Sequence, residues 1–339
     1  AADAAKIPGI LEQISTAGAE AVMVSVVNLA EEGTVGSVGT QIRLFRNKPD
    51  IRYHRRVHEQ LTADHGQRVL QLVDAAGTLS IIHIGYCGEA YVRKKASGRN
   101  LRLIQKELEE HPGDPEILGY MGDEYNNLGK SQEAARYYRQ AIEAMPQVLD
   151  QRDARSAATF SGLLRIFISE KAPEDQIVQI YRKGTALLPM EADFDYLVGH
   201  YYASVGNYAQ GGRLLEQAME KLEKGTFNRS MGIKGHIGDV YESLAICFYQ
   251  EGDMQKTVRY TTALLRQNPY SMKALVLLLR ALKGDEVLPL TPENQVADLL
   301  QKLYDRKSSK DKAILLAVAQ KLGWFRLEMV LEQAFVPEK

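Results

Sequence analysis

One repeating pattern of small and aromatic residues limits what this chain can fold into more than any other feature. Residues 115–148 read "PEILGYMGDEYNNLGKSQEAARYYRQAIEAMPQV". The small or aromatic residues fall at Gly122, Tyr125, Gly129, Ala134, Tyr138 and Ala141, and Pro146 closes the segment. Small residues at these positions let two antiparallel helices approach closely, and the aromatic rings fill the space between them. The segment therefore predicts a helix–turn–helix unit of roughly 34 residues.

The same pattern returns twice, in residues 199–218 and 245–269. Residues 154–189 have the length of a helix pair but lack the signature residues, and apolar helices in 271–322 are expected to cap the array. This is the tetratricopeptide pattern, and it predicts an all-α superhelix whose concave face docks a protein or a peptide. We expect the tyrosines to be packing residues, namely Tyr137, Tyr138, Tyr201, Tyr202 and Tyr241.

The front of the chain has a different character and predicts a mixed α/β structure. Helix is expected over 4–17, with Asp3 as its N-cap, and again from Glu89 into the first repeat. Strands are expected at 20–29, 41–46, 51–53, 68–73 and 79–86, a glycine-rich loop at 30–40, and a turn or short helix at 57–61. Because this part begins with a helix, we expect an earlier portion of the sheet to precede it.

Composition excludes several classes of protein. The formal net charge is −1, with 42 Lys and Arg against 43 Asp and Glu, which gives no general reason to expect nucleic-acid binding. The two cysteines, Cys87 and Cys247, lie far apart, which argues against a disulfide framework or structural zinc and favours a reducing cytoplasm. No apolar run approaches the roughly 20 residues of a membrane span.

A basic, histidine-containing stretch, "QIRLFRNKPDIRYHRRVHEQL" at 41–61, is not explained by helical repeats. His54, His58, His65 and His83 fall within a short span, near Glu59. Such residues can supply metal ligands if they converge from separate elements, or a general base if one lies beside a hydroxyl or thiol. Each histidine alone is more simply interpreted as a structural or exposed residue.

Several motifs in order resemble a known family. "RLFRN", "IRYHRRVHEQL", "IIHIGY" and a helix leading into the first repeat together resemble bacterial family 2 glycosyltransferases with a tetratricopeptide tail, over residues 1 to about 148. The peptide-modifying glycocin type has a similar layout. The resemblance implies an α+β chain. Residues 1–110 would be the C-terminal portion of a GT-A α/β domain, without its donor-binding half, and 111–339 the tetratricopeptide-type domain.

The resemblance also implies roles for individual residues. Glu59 matches the family's acceptor-activating base, and His58 matches the histidine beside it. His83 matches a later strand histidine, a candidate for contacting the metal ion. Diphosphate-binding positions are implied at Arg43, Arg46 and Arg56. Arg55 is a departure, because the family usually has glycine there.

The implied enzyme transfers a sugar from a nucleotide-sugar to an acceptor, with inversion, and uses Mn²⁺ or Mg²⁺. Its main Asp ligands are expected to lie outside this chain, so residues 1–339 alone are expected to be inactive and to hold no cofactor. The expected partners are the donor and a protein or peptide on the repeat face, with homodimerisation through the exposed sheet edge as a further possibility. The alternative is a non-catalytic tetratricopeptide scaffold, and the expected location is the cytoplasm.

Overall fold

A computed structural model describes residues 2–29, 33–57, 59–64, 67–84, 98–151, 153–225, 231–284 and 291–337. The chain divides into two compact units, residues 1–141 and 142–339. The first unit contains the sheet region and the first helices, and the described residues of the second form helices without strands. No helix among the residues described is both long and apolar enough to cross a membrane.

The sheet of the first unit is built around β1 (Ala21–Leu29). The strand β2 (Val35–Phe45) runs antiparallel along one edge of β1. Along the other edge, β5 (Leu72–Asp74) and then β6 (Ser80–His83) pair with β1 in parallel. The mixed α/β prediction is confirmed for this region, whereas its origin in a GT-A domain stays a prediction.

The sheet core lies between β1 and helix α1 (Ile7–Thr16). Val22, Val24 and Val26 alternate along β1 and are buried against Ile10 and Ile14 of α1. This period of two is what a strand needs to present one apolar face to a helix. The valine-rich sequence of β1 therefore folds as the pattern predicts.

Four local predictions for this region are wrong in whole or in part. The strand expected at 68–73 begins only at Leu72, as β5. Strand β2 begins at Val35, so much of the glycine-rich stretch expected to be a loop is strand, held by pairing with β1. Of the turn or short helix expected at 57–61, residues 60 and 61 belong instead to strand β4 (Gln60–Ala63), which pairs antiparallel with β3 (Ile51–His54). Asp3 does not cap α1, because its carboxylate accepts from Ser80 N at 3.1 Å and pairs with Lys6.

Three further helices belong wholly or mainly to the first unit. They are α2 (Arg99–Glu110), α3 (Pro115–Asn127) and α4 (Ser131–Ala144). Asp114 caps α3 by accepting from Glu116 N at 2.8 Å and Ile117 N at 3.1 Å. The pair α3–α4 is the first predicted repeat, and Gly129 (φ 72°) supplies the left-handed turn between its helices. The start of the helix expected from Glu89 lies outside the described residues.

The second unit is a series of helix pairs. Its helices are α5 (Ala154–Ser169), α6 (Glu174–Leu187), α7 (Ala192–Ser204), α8 (Tyr208–Lys224), a short α9 (Met231–Lys234), α10 (Ile237–Gln250), α11 (Met254–Gln267), α12 (Met272–Lys283), α13 (Glu293–Gln301), α14 (Ser309–Lys321) and α15 (Phe325–Ala334). The first helices of neighbouring pairs contact one another in the order α5, α7, α10, α12 and α14. This confirms the tetratricopeptide-type helical fold.

The packing of these pairs follows the residues that define the pattern. Tyr138 and Tyr202 are buried, with hydroxyls donating to Asp123 at 2.8 Å and Glu174 at 2.9 Å. The interpretation of these two tyrosines as packing residues is confirmed. The helices after residue 271 do more than cover an end, since Leu275, Val296 and Leu315 share one continuous core.

Candidate functional site

The connection between β3 and β4 carries the predicted base. His54 and Gln60 are the last pair of the β3–β4 ladder, so a short connection lies at the end of a two-stranded ribbon, and the structure describes residues 55–57 and 59 of it. We call these residues the β3–β4 loop. Glu59 is exposed in it, and no hydrogen bond or ion pair joins its carboxylate to another residue that the structure describes. His58 lies outside the described residues, so its predicted role has no structural description.

Ion pairs hold the β3–β4 loop on helices α2 and α3. The Arg55 guanidinium lies 2.5 Å from Glu116 Oε2 and 3.5 Å from Glu107 Oε1. The Arg55 side chain is only 19% exposed. Arg56 pairs with Glu110, and its backbone N donates to Glu107 Oε2 at 3.2 Å. The loop is thus anchored by charge on the helices that lead into the first repeat.

Apolar packing and one hydrogen bond from a side-chain amide add to this anchoring. Val57 packs against a small core made of Ile104, Ile117 and Met121. Gln60 donates from Nε2 to Glu116 Oε1 at 3.1 Å. Residues on either side of Glu59 are therefore fixed against α2 and α3, which leaves the Glu59 carboxylate on the solvent side of a held loop.

Arg55 stands where the family that the sequence resembles usually has glycine, and its backbone conformation is one that glycine favours. Its backbone has φ 72°, which is the left-handed region that glycine adopts without strain. Here a bulky cation adopts this conformation, and its guanidinium turns toward α2 and α3. Sequence reasoning identified Arg55 only as a departure from the usual glycine and missed its role as an anchor.

The other predicted diphosphate-binding arginines have partners within the fold. Arg46 donates from Nε to Ala19 O at 2.7 Å and from a terminal nitrogen to Ile14 O at 3.3 Å, near the end of α1. Arg43 is exposed on β2 and bonds the side chain of Gln41. Within the described ranges, no hydrogen bond or ion pair links these two arginines to Arg56 or Glu59, so their convergence on one diphosphate stays a prediction.

His83 stands on β6 beside the central strand. Its Nδ1 lies 2.8 Å from Asn28 Oδ1 on β1, in register with the parallel pairing of the two strands. Across the part of the chain that the structure describes, no three His, Cys, Asp or Glu side chains converge to hold a metal ion. The described residues thus do not form the Mn²⁺ or Mg²⁺ site of the resemblance, and the metal-binding role of His83 stays a prediction.

A charged cluster that sequence reasoning missed braces the sheet at the end of the β3–β4 ribbon opposite the β3–β4 loop. The Glu20 carboxylate is buried and lies 2.6 Å from Arg68 and 2.9 Å from Lys48. Arg68 also lies 2.5 Å from Asp50, next to the start of β3. Hydrogen bonds from Arg68 and then Lys48 lower the pKa of Glu20 to about 2. The cluster therefore ties the β3–β4 ribbon to β1.

Comparison with known proteins gives partial likenesses. No family model matches the chain. Glycosyltransferase SunS of Bacillus subtilis (strain 168), derived from prophage SPbeta, is 29% identical over 111 residues, which are 32% of this chain and 25% of that protein. A TPR repeat-containing protein of Synechococcus elongatus is 30% identical over 120 residues, which are 34% of this chain and 30% of that protein. The chain thus spans a third or less of each of these relatives.

Two solved structures show a partial likeness to the chain. The crystal structure of MamA is 20% identical, with a TM-score of 0.40, and covers 54% of this chain and 96% of that one. YrrB, described as a TPR protein with an unusual peptide-binding site, is 13% identical, with a TM-score of 0.43. The likeness covers 68% of this chain and 97% of that one.

Proposed function

We propose that this chain is the acceptor-side part of a sugar-transferring enzyme whose helical repeats dock a polypeptide. The partial sequence likeness to glycosyltransferase SunS carries the proposal. The exposed carboxylate of Glu59, on a loop fixed against the first repeat helices, supports it, because a general base must be held in place yet reach the acceptor.

In the proposed reaction, Glu59 takes the proton from an acceptor hydroxyl or thiol. The freed oxygen or sulfur attacks the anomeric carbon of the sugar from the side opposite the leaving group. The bond from that carbon to the nucleoside diphosphate breaks, and the diphosphate leaves with the electron pair. The configuration at the anomeric carbon is inverted, as expected when one base acts in a single displacement.

A second candidate is a non-catalytic scaffold made of tetratricopeptide-type repeats. The helix pairs α5–α6 through α14–α15 favour it, and so does the partial likeness to the TPR repeat-containing protein of Synechococcus elongatus. In this case the arginines of the β3–β4 loop serve only to brace the sheet region. The two candidates differ in whether Glu59 has any chemical task.

The substitution Glu59→Gln in the full-length protein separates the two candidates. Release of UDP from a panel of UDP-sugars is measured with a mixture of Ser-, Thr- and Cys-containing peptides as acceptors. Loss of a general base is expected to lower turnover by at least about 100-fold, while donor affinity measured by titration calorimetry stays nearly unchanged. Glu109→Gln, an exposed carboxylate on α2, is the matched control and should keep the full rate. Near-normal turnover of Glu59→Gln would remove Glu59 from the role, and no transfer by the parent protein would favour the scaffold.

A further inference from the structure

A groove opens on the second unit where α10 and α12 lie side by side. Its volume is about 380 Å³, and α11 and α14 complete its walls. The floor is apolar and consists of Ala245, Ile246, Leu264, Ala274, Val276 and Leu277. A space of this size admits one large apolar side chain with part of the backbone that carries it.

Apolar groups at the groove remain open to solvent. Ile246 on α10 is 38% exposed and Met272 at the start of α12 is 46% exposed. Single exposed apolar residues are ordinary on a protein surface. Here Ile246 belongs to a concave apolar floor and Met272 borders it, which is the form of a site that receives a side chain from outside.

The rim of the groove is positively charged. Lys273, Arg280 and Lys321 stand around it, against one carboxylate, Glu242. Lys273 lies 3.5 Å from Glu242. Neither Arg280 nor Lys321 forms an ion pair with another residue in the described parts of the chain. Two cations are therefore available to an incoming anion beside an apolar floor.

We propose that this groove binds an acidic segment of a partner protein that carries one large apolar side chain. The apolar side chain lies on the floor formed by Ile246 and Leu277, and flanking Asp or Glu carboxylates pair with Arg280 and Lys321. Complementary charge selects such a segment over a basic one and speeds its association. This inference rests on the docking role within the proposed function and names the chemistry of the docked partner.

The test uses residues 1–339 and three fluorescein-labelled peptides in an anisotropy titration. The first peptide has the sequence Gly-Ser-Glu-Asp-Phe-Asp-Glu-Ser-Gly. The second replaces Phe by Ser, and the third replaces each acidic residue by Lys. The double variant Arg280→Glu/Lys321→Glu reverses the charge of these two rim residues, and Ile246→Ala removes most of one apolar side chain from the floor. Lys302→Glu, at an exposed lysine outside the groove, is the matched control.

The first peptide is expected to bind more tightly than either of the others, and its affinity should fall with added salt. The double variant should weaken its binding by at least about tenfold, Ile246→Ala should also weaken it, and Lys302→Glu should leave it unchanged. Circular dichroism confirms that each variant retains its helices. Equal binding of acidic and basic peptides, binding of none, or an unchanged affinity in the double variant would overturn the proposal.

Occupation by a second copy of this chain is the competing outcome. Self-association that is lost in Ile246→Ala, measured by light scattering, together with no peptide binding, would replace the acidic partner by a second protomer. None of these measurements involves a sugar donor. Their failure would therefore leave the test on Glu59 untouched, and failure of sugar transfer would leave the groove intact.

Discussion

The Arg55 guanidinium lies 2.5 Å from the Glu116 carboxylate, although the Arg55 backbone is in the left-handed region at φ 72°. A non-glycine residue is disfavoured there by roughly 1–2 kcal/mol. The ion pair offsets this strain and joins the loop that carries Glu59 to the first residues of α3. The position of the candidate base thus depends on the repeat helices as well as on the sheet.

Two substitutions at Arg55 separate the ion pair from the backbone strain. Arg55→Ala removes the contacts with Glu107 and Glu116 but keeps the strain, whereas Arg55→Gly removes both. We expect amides of the β3–β4 loop to exchange fastest in Arg55→Ala, and about fivefold more slowly in Arg55→Gly, from about 1 kcal/mol of relieved strain. Hydrogen exchange by mass spectrometry measures this, with Arg102→Ala on α2 as a control. Equal exchange in the two variants would show that the backbone is not strained.

The charged cluster around Glu20 predicts acid sensitivity of the sheet region. Arg68 and Lys48 lower the pKa of Glu20 to about 2, below its ordinary value of 4.5. The ionised carboxylate therefore stabilises the fold fully above pH 4.5, and this stabilisation is lost as the pH falls toward 2. At pH 6.5, Glu20→Gln should speed hydrogen exchange of the β1 amides by about tenfold or more. The substitution removes the charge of a buried carboxylate that pairs with both Arg68 and Lys48.

Glu12→Gln, an exposed carboxylate on α1, is the control for this experiment and should not change the exchange of β1. The difference between Glu20→Gln and the parent chain should shrink as the pH is lowered toward 2, because the parent carboxylate then becomes neutral too. A difference that is the same at every pH would mean that packing, and not charge, is what Glu20 contributes.

The sequence predicted those features that depend on local pattern. The alternating valines of β1 and the turn glycine Gly129 specify their structures through neighbouring residues. The strand β4 was missed because only its pairing with β3 makes Gln60–Ala63 extended. The anchoring of Arg55 was missed because Glu107 and Glu116 lie about fifty and sixty residues away, and no local rule links them. The acidic run "KELEEH" at 106–111, complementary to "RR" at 55–56, is the signal that would have indicated this contact.

The close approach of α7 and α8 depends on Gly211. A Cβ at this position would lie 2.8 Å from the backbone nitrogen of Ala203 and 3.1 Å from the carbonyl oxygen of Gly199. Backbone atoms cannot move aside as a side chain can, so Gly211→Ala should lower the free energy of unfolding by about 1–3 kcal/mol. Urea unfolding followed by the fluorescence of Trp324, the chain's one tryptophan, reports on the same unit.

The matched substitution is Gly238→Ala in α10. A Cβ at Gly238 would meet nothing nearer than 3.8 Å. This variant should be more stable than the parent chain by about 0.5 kcal/mol, because alanine has less freedom to lose on folding. Destabilisation of equal size in both variants would show that close helix contact is not the reason for Gly211.

The raised pKa of Glu191 predicts that the second unit loses stability as the pH rises through neutrality. The residue is the N-cap of α7, and its carboxylate accepts from Asp193 N at 3.1 Å. Burial, with a smaller effect of the Asp193 charge, raises the pKa of Glu191 to about 7 from 4.5. The folded state therefore binds a proton more tightly than the unfolded state. The stabilisation is fully present below pH 4.5 and is lost as the pH rises through about 7.

Glu191→Gln keeps an oxygen to cap α7 but cannot ionise. Relative to the parent chain, the variant should gain about 2 kcal/mol in the free energy of unfolding between pH 5 and pH 8. Urea titrations followed by Trp324 fluorescence at pH 5, 6, 7 and 8 give this difference, and taking the difference removes the contribution of the histidines common to both chains. Glu170→Gln, an exposed carboxylate at the end of α5, should show no such trend. A parent chain and a Glu191→Gln variant with parallel pH profiles would mean that Glu191 is already ionised in the folded protein at pH 5.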